Sequence, residues 1–341
     1  MKTGIIGASG YTGQELVSLL IRHPKIELCT ITSRAHAGKS VSQVIPRVGK
    51  VGQSLKFTNP SLAGLLNGEV ELFFLALPHG TAAEYAVPLV EAGKKVIDLS
   101  ADFRLNDPKL YQEYYGSTPI SPDWLPKAQY GLPELHELSW EKSPLIASPG
   151  CYPTSIITPL APLLKSGLIE TCDIIVNSIS GISGAGKNAS EHLLFCERNE
   201  SAGVYGLPKH RHLSEIEEQL SQFAQKSIVL SFHPHLGPMN RGICSTISVR
   251  AKGGLHAKLI TKCWEDTYSG RPFVQILKNG DLPETGRVVG TNRIDLAVQE
   301  DSRTNRYIIC SAEDNLLKGA GGQAVQSMNL CNGYEEDCGL S

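Results

Sequence analysis

Several features that often settle a protein's class are scarce or missing in this sequence. Nine cysteines occur in 341 residues. The number is odd and no C-x-x-C pair exists, which argues against a disulfide framework or a zinc cluster and for a reducing compartment. No stretch reaches the ~18 apolar residues of a membrane span, and the opening KTGIIGASG carries no apolar leader or cleavage site. A cytoplasmic protein with no membrane partner and no metal is expected. The formal net charge is only −2, so no basic field points to nucleic acid or an anionic surface. Internal repeats and low-complexity linkers are also missing.

What is present is an ordinary globular balance, 41% hydrophobic and 19% charged residues, on a chain long enough for two domains. TGIIGASGYTGQELVSLLIRHP reads as a short apolar strand, a glycine turn and a helix with Leu16, Leu19 and Leu20 at helical spacing. IELCTITS, VELFFLALPHG and KKVIDLSAD read as further strands, and TAAEYAVPLVEAG as a helix between the last two. Strands alternating with helices imply a parallel sheet. After Cys151 the texture changes. CDIIVNSISGIS, SIVLSFHPHL, GICSTISVRA and PFVQILK suggest longer strands of an antiparallel or mixed sheet, and AGGQAVQSMNLCNGY returns to a helical pattern. The expected fold is α/β: a Rossmann-type nucleotide-binding domain over 1–150, joined by a C-terminal helix over 313–341, and a second, α+β domain over 151–312.

Gly7, Gly10 and Gly13 form G-x-x-G-x-x-G between the first strand and the first helix. Such glycines let backbone N–H groups approach a pyrophosphate at the positive end of a helix. At the end of the second strand, TSRAHAGKS offers Ser33, Arg34 and Lys39 and no carboxylate. A guanidinium with a nearby hydroxyl suits a 2′-phosphate, so NADP(H) is the expected cofactor.

ASPGCYPTS, residues 147–155, places Cys151 beside Gly150 and two residues before Pro153, which suits the first turn of a helix. A thiol at a helix start has its thiolate favoured by the dipole. Pro159 and Pro162 must perturb the helix that follows. A nucleophilic thiol combined with a nicotinamide implies acyl chemistry through a thioester, with a histidine as acid/base. PKHRHLSEIEEQL supplies His210 and His212 ahead of Glu215. His212 and Glu215 are three apart and can face each other.

Together these strings resemble the N-acetyl-γ-glutamyl-phosphate reductase family, which is similar to aspartate-semialdehyde dehydrogenase. The resemblance spans nearly the whole chain, through GASGYTGQEL, LALPHG, DLSADFRL, YGLPEL, SPGCYPTS, SGISGAGK, HRHLSEI, HLGPMNRGI and DNLLKGAGGQAVQSMN. It implies NADPH-dependent reduction of an acyl phosphate in arginine biosynthesis by a homo-oligomer, a dimer or tetramer. Cys151 matches the family's nucleophile, and His210 or His212 inherits the acid/base role with Glu215 as partner. Leu213 and Ser214 stand where the family commonly has a residue followed by proline, and Ser214 is expected to cap the helix instead. Arg104 looks like a substrate-anion ligand, the alternative being a surface ion pair with Asp102 or Asp107. Lys187 would add a charge for substrate. Ser9, Tyr11, Thr12, Ser183, Gly184, Gly186 and Asn315 would join the glycines, Ser33 and Arg34 around the cofactor. Alternative readings are an aspartate-semialdehyde dehydrogenase, a reductase of a carrier-bound amino-adipyl phosphate, and a non-catalytic NADP-binding redox sensor.

Overall fold

A computed structural model describes residues 1–59, 61–253, 256–278 and 280–340. The chain divides into two compact units, residues 1–149 with 320–341, and residues 150–319.

In the first unit, seven strands form one parallel sheet: β1 (Lys2–Ile6), β2 (Glu27–Thr32), β3 (Phe57–Thr58), β4 (Leu72–Leu75), β5 (Lys95–Asp98), β6 (Gln129–Tyr130) and β7 (Leu145–Ala147). Their order is β3-β2-β1-β4-β5-β7-β6, and every pairing is parallel. The chain starts in the middle of the sheet and builds outward in both directions, so the order reverses beside β1, where an open α/β sheet binds ligands. β4 is buried at all four positions, as expected of a strand covered on both faces. The helices include α1 (Tyr11–Leu20), α2 (Ala83–Glu91) and α3 (Pro108–Tyr115). Leu16, Val17 and Leu20 of α1 are fully buried.

The second unit holds a mixed sheet of β8 (Ile174–Ser180), β9 (Gly203–Val204), β10 (Leu230–Leu236), β11 (Ile243–Val249), β12 (Val274–Ile276), β13 (Ile294–Asp301) and β14 (Arg306–Glu313), ordered β12-β13-β14-β11-β8-β10-β9. The pairs β8–β10 and β12–β13 are parallel, and the rest are antiparallel. Its longer helices are α4 (Cys151–Lys165), α5 (His212–Ala224) and α6 (Ala257–Thr267), and α4 packs on β11, β14, α5 and α6.

α4 is buried from Tyr152 to Leu164, and it runs unbroken through Pro159 and Pro162. Each proline removes the N–H that would bond the carbonyl four residues back. Those carbonyls belong to Ser155 and Thr158, and both find other donors. Ser311 Oγ on β14 donates to Ser155 O at 2.7 Å, and the Tyr268 hydroxyl donates to Thr158 O. An orphaned buried carbonyl would cost about 1–3 kcal/mol, so these two hydroxyls make the prolines tolerable.

The C-terminal helical pattern begins later than the 313 boundary expected of it. Glu313 is the last residue of β14, a π turn spans Leu317–Gly321, and α7 (Gly322–Cys331) follows. α7 packs on α1 within the first unit, where His23 Nε2 and Asn329 Oδ1 lie 2.9 Å apart. Residue 341, part of the same expectation, lies outside the described residues.

Candidate active site

The glycine turn after β1 is shaped by close backbone approach. Gly7 has φ +86°, and a Cβ there would lie 2.3 Å from Ala76 O. A Cβ on Gly13 would lie 2.5 Å from Gly7 O, whereas one on Gly10, the N-cap of α1, would meet Gly7 O only at 3.9 Å. The result is a bare helix N-terminus of the kind that receives a phosphate group. Ser33 Oγ donates to Ser9 Oγ at 2.9 Å, linking the end of β2 to this turn. Arg34 and Lys39 are exposed on the loop that follows. Tyr11 and Thr12 open α1.

The DLSADFRL segment is a buried polar knot in the same unit. Asp98 is fully buried and accepts from Ser100 N–H at 2.9 Å and Ser100 Oγ at 2.6 Å. Burial, together with the Asp102 charge, pushes its carboxyl up to about 7. Asp102 accepts from Gly80 N–H, Ala83 N–H and the Tyr111 hydroxyl, and so anchors the LPHG loop to the start of α2. Arg104 is buried rather than on the surface. Its Nε donates to Ser148 O and its Nη2 to Leu99 O, both at 2.8 Å. The guanidinium thus grips the segment that leads into Cys151.

In the second unit, Cys151 is the first residue of α4 and Gly150 its N-cap. Its thiol is half-buried. The Gly150 N–H donates to Glu215 Oε1 at 2.9 Å, and Glu215 is fully buried on the first turn of α5. Glu215 therefore braces the start of the cysteine helix. Ser214 does not cap α5. It lies inside the helix and donates from Oγ to Arg211 O at 2.8 Å, because the chain is already helical at Arg211 and a hydroxyl there bonds backward.

His210 and His212 both come to the residue beside the cysteine. The Tyr152 ring lies 5.5 Å from the His210 ring and 6.0 Å from the His212 ring. The His212 backbone N–H donates to His210 Nδ1 at 3.1 Å. An acceptor Nδ1 places the proton of the neutral ring on Nε2. Burial, helped by the Arg211 charge, lowers His210 to about 4, so the ring stays neutral near pH 7.

A semialdehyde dehydrogenase NAD-binding domain model matches residues 2–142, and a semialdehyde dehydrogenase dimerisation domain model matches residues 151–315. The N-acetyl-gamma-glutamyl-phosphate reductase of Akkermansia muciniphila is 49% identical over 341 residues, covering all of this chain and 98% of the relative. The protein of that name from Geobacter sulfurreducens is 45% identical over 342 residues, with the same coverage. The chain belongs to the N-acetyl-γ-glutamyl-phosphate reductase family. Solved relatives at lower identity share the fold of this reductase-family chain. Aspartate semialdehyde dehydrogenase II from Vibrio cholerae superposes with a TM-score of 0.72 at 17% identity, covering 96% of this chain and 97% of that one. The Candida albicans aspartate semialdehyde dehydrogenase, solved with NADP, gives 0.72 at 16% identity, covering 97% and 98%. The family and the two-part fold are those expected from the sequence.

Other residues of this reductase-family chain fall into place less uniformly. Asn315 is buried between Ser183 and the β11 entry: its Nδ2 donates to Ser183 Oγ at 2.9 Å, and its Oδ1 accepts from Gly242 N–H at 2.7 Å. Gly184, Gly186 and Lys187 are exposed on the adjoining loop. Two tyrosines that no sequence motif assigns a role also belong to the cluster. Tyr205 donates its hydroxyl to that of Tyr152 at 3.0 Å, and its ring lies 5.5 Å from that of His210. Burial pushes the Tyr205 phenol up to about 12 and the Tyr152 phenol further still. Position beside Cys151 marks Tyr152, but no local pattern marks Tyr205.

Proposed function

We propose that this chain reduces N-acetyl-γ-glutamyl phosphate with NADPH to N-acetylglutamate 5-semialdehyde and phosphate, as a step of arginine biosynthesis in the cytoplasm. The observation that carries the reading is Cys151 as first residue of a buried helix whose start is braced by Glu215. The helix dipole favours thiolate at that position. Sγ attacks the acyl carbon, the bond to the phosphate oxygen breaks, and a thioester remains. Arg104, fixed by two backbone carbonyls, receives the charge of the leaving phosphate, and Lys187 adds a second cation near the substrate. NADPH supplies the hydride that reduces the thioester carbon. The oxyanion so formed is held by N–H groups at the start of α4 and by a histidine. His210 meets that need as a neutral Nε2–H donor, and His212 is its neighbour for proton exchange with solvent. Collapse of the oxyanion releases the aldehyde and returns Cys151 as thiolate.

On the cofactor side, the bare turn at Gly7, Gly10 and Gly13 and the N-terminus of α1 fit a pyrophosphate. Ser33 and Arg34 fit a 2′-phosphate, which favours NADP(H) over NAD(H). The dimerisation-domain match over 151–315 supports a homo-oligomer.

The test is a reverse assay with NADP, phosphate and either N-acetylglutamate semialdehyde or aspartate semialdehyde. The acetylated substrate should give the higher kcat/KM. A preference of tenfold or more for aspartate semialdehyde, on the order of 1.4 kcal/mol in the transition state, would overturn the substrate assignment.

A further inference from the structure

Gly319 has no part in the chemistry above, yet the nucleophile rests against it. A Cβ built on Gly319 would lie 2.8 Å from Cys151 Cβ, 3.2 Å from Cys151 Cα and 2.9 Å from Glu313 Oε1. Real Cβ atoms essentially never come closer than 3.0 Å to such neighbours. The backbone itself does not call for glycine, because Gly319 is not among the residues with positive φ. Only the space does.

Neither side of this contact can retreat easily. Gly319 sits in the π turn Leu317–Gly321, and its N–H donates to Asp314 O at 2.9 Å. Asp314 is fully buried and tied down on all sides. Arg241 donates from Nε to Oδ1 at 3.1 Å and approaches Oδ2 with Nη2 at 2.8 Å, Gly290 N–H donates to Oδ2 at 2.7 Å, and Leu316 N–H donates to Oδ1 at 2.9 Å. Across the contact, the start of α4 is held by the bond from Gly150 N–H to Glu215. β14 adds the third wall. Ser311 reaches Ser155 O, and Glu313, two residues further along the same strand face, brings Oε1 within 2.9 Å of the point a Cβ on Gly319 would occupy.

We propose that Gly319 is a positioning residue for the nucleophile. Its bare α-carbon is the wall against which Cys151 Cβ is seated, so that rotation about Cα–Cβ is the motion left to the sulfur. The inference rests on Cys151 being the nucleophile.

Gly319→Ala tests it in three measurements. The kcat should fall at least ~100-fold, since a displacement of about 1 Å can cost that much, while the Kd of NADPH and the KM of the acyl substrate stay within about threefold. Alkylation of Cys151 by iodoacetamide, followed by mass spectrometry of its peptide, should change its rate in the mutant. The third measurement is independent of turnover. Cys151→Gly removes the nearest of the three atoms that the introduced methyl group would meet and leaves Cys151 Cα at 3.2 Å and Glu313 Oε1, a side-chain end, at 2.9 Å, so Gly319→Ala should lower the melting temperature less in a Cys151→Gly background than in the wild type. A Gly319→Ala chain that folds only in that background has the same meaning. Near-normal kcat, or equal destabilisation in both backgrounds, overturns the proposal. Retention of turnover by Cys151→Gly alone would instead sink the nucleophile assignment beneath it.

Discussion

Replacing Glu215 separates what the carboxylate does for the fold from what it does for the reaction. It is fully buried and accepts the Gly150 N–H at 2.9 Å, across 65 residues of sequence. Glu215→Ala leaves that N–H buried without its acceptor, at a cost of about 1–3 kcal/mol, and adds a small cavity. For a unit of this size each kcal/mol lowers the melting temperature by roughly 2–4 °C, so a drop of several degrees is expected. Glu215→Gln keeps an oxygen of the same reach to accept the Gly150 N–H, so the amide should cost less than the alanine. Because Gly150 is the N-cap of the helix that begins at Cys151, loosening it moves the thiol. Glu215→Ala should therefore lower kcat more than it raises KM, and Glu215→Gln should recover most of the stability and much of the rate. Thermal melts by circular dichroism and steady-state kinetics on the three proteins decide it. If Glu215→Ala melts like the wild type while losing turnover, the brace is not structural and the reasoning from the Gly150 bond fails.

Arg34→Ala should weaken NADPH binding and leave NADH nearly unchanged, measured by fluorescence titration; equal losses for both cofactors would show that Arg34 does not read the 2′-phosphate. Cys151→Ser should bind NADPH but lose turnover, and wild-type protein given acyl phosphate without NADPH should carry an acyl adduct on the Cys151 peptide, visible by mass spectrometry. His210, lowered to about 4 by burial and the Arg211 charge, should titrate by NMR near that value with its neutral-form proton on Nε2. Since its pKa lies below the ordinary value of about 6.5, the stabilisation from burying it neutral is fully present above pH 6.5 and is lost as pH falls from there toward 4. A midpoint near 6.5 would refute the assignment of His210 as a neutral donor.

The nucleotide-binding part was legible because its signals are local. A strand, three glycines and an apolar helix face occupy residues 2–20 in unbroken order, and the structure returns β1, the turn and α1 in the same places. The hairpin of β13 and β14 was not legible. The first four residues of β13 are all buried, and so are the last three of β14, so neither strand alternates cleanly and the period of two fades. The candidate site divides in the same way. Cys151 announces itself through its neighbours in the chain. The bond from Gly150 to Glu215, the approach of Gly319 and the pairing of Tyr205 with Tyr152 join residues far apart in sequence, and no spacing rule reports them. Helical spacing suggested that Glu215 faces His212, but spacing does not say that its Oε1 is engaged by the Gly150 backbone.

α4 shows how such distant partners reshape a local rule. By propensity, two prolines inside a helix cost about 3 kcal/mol each relative to alanine, which on local grounds predicts a disturbed helix. The helix is intact because the cost falls on two identifiable carbonyls, and the fold brings a hydroxyl to each. Ser311 serves Ser155 O from β14, and Tyr268 serves Thr158 O from the C-cap of α6. A third donor, Trp264 Nε1, reaches Pro159 O at 2.9 Å. These bonds do more than repair. An ordinary helix satisfies its own backbone and can slide or roll on its neighbours at the cost of side-chain packing alone. α4 cannot, because movement along or about its axis would break hydrogen bonds to two other elements. The prolines thus turn part of the helix's internal bonding into attachments to the surrounding unit. The residue that gains from this sits at the helix start, where Cys151 is held by the docked helix behind it, by Glu215 at Gly150 and by Gly319 against its Cβ.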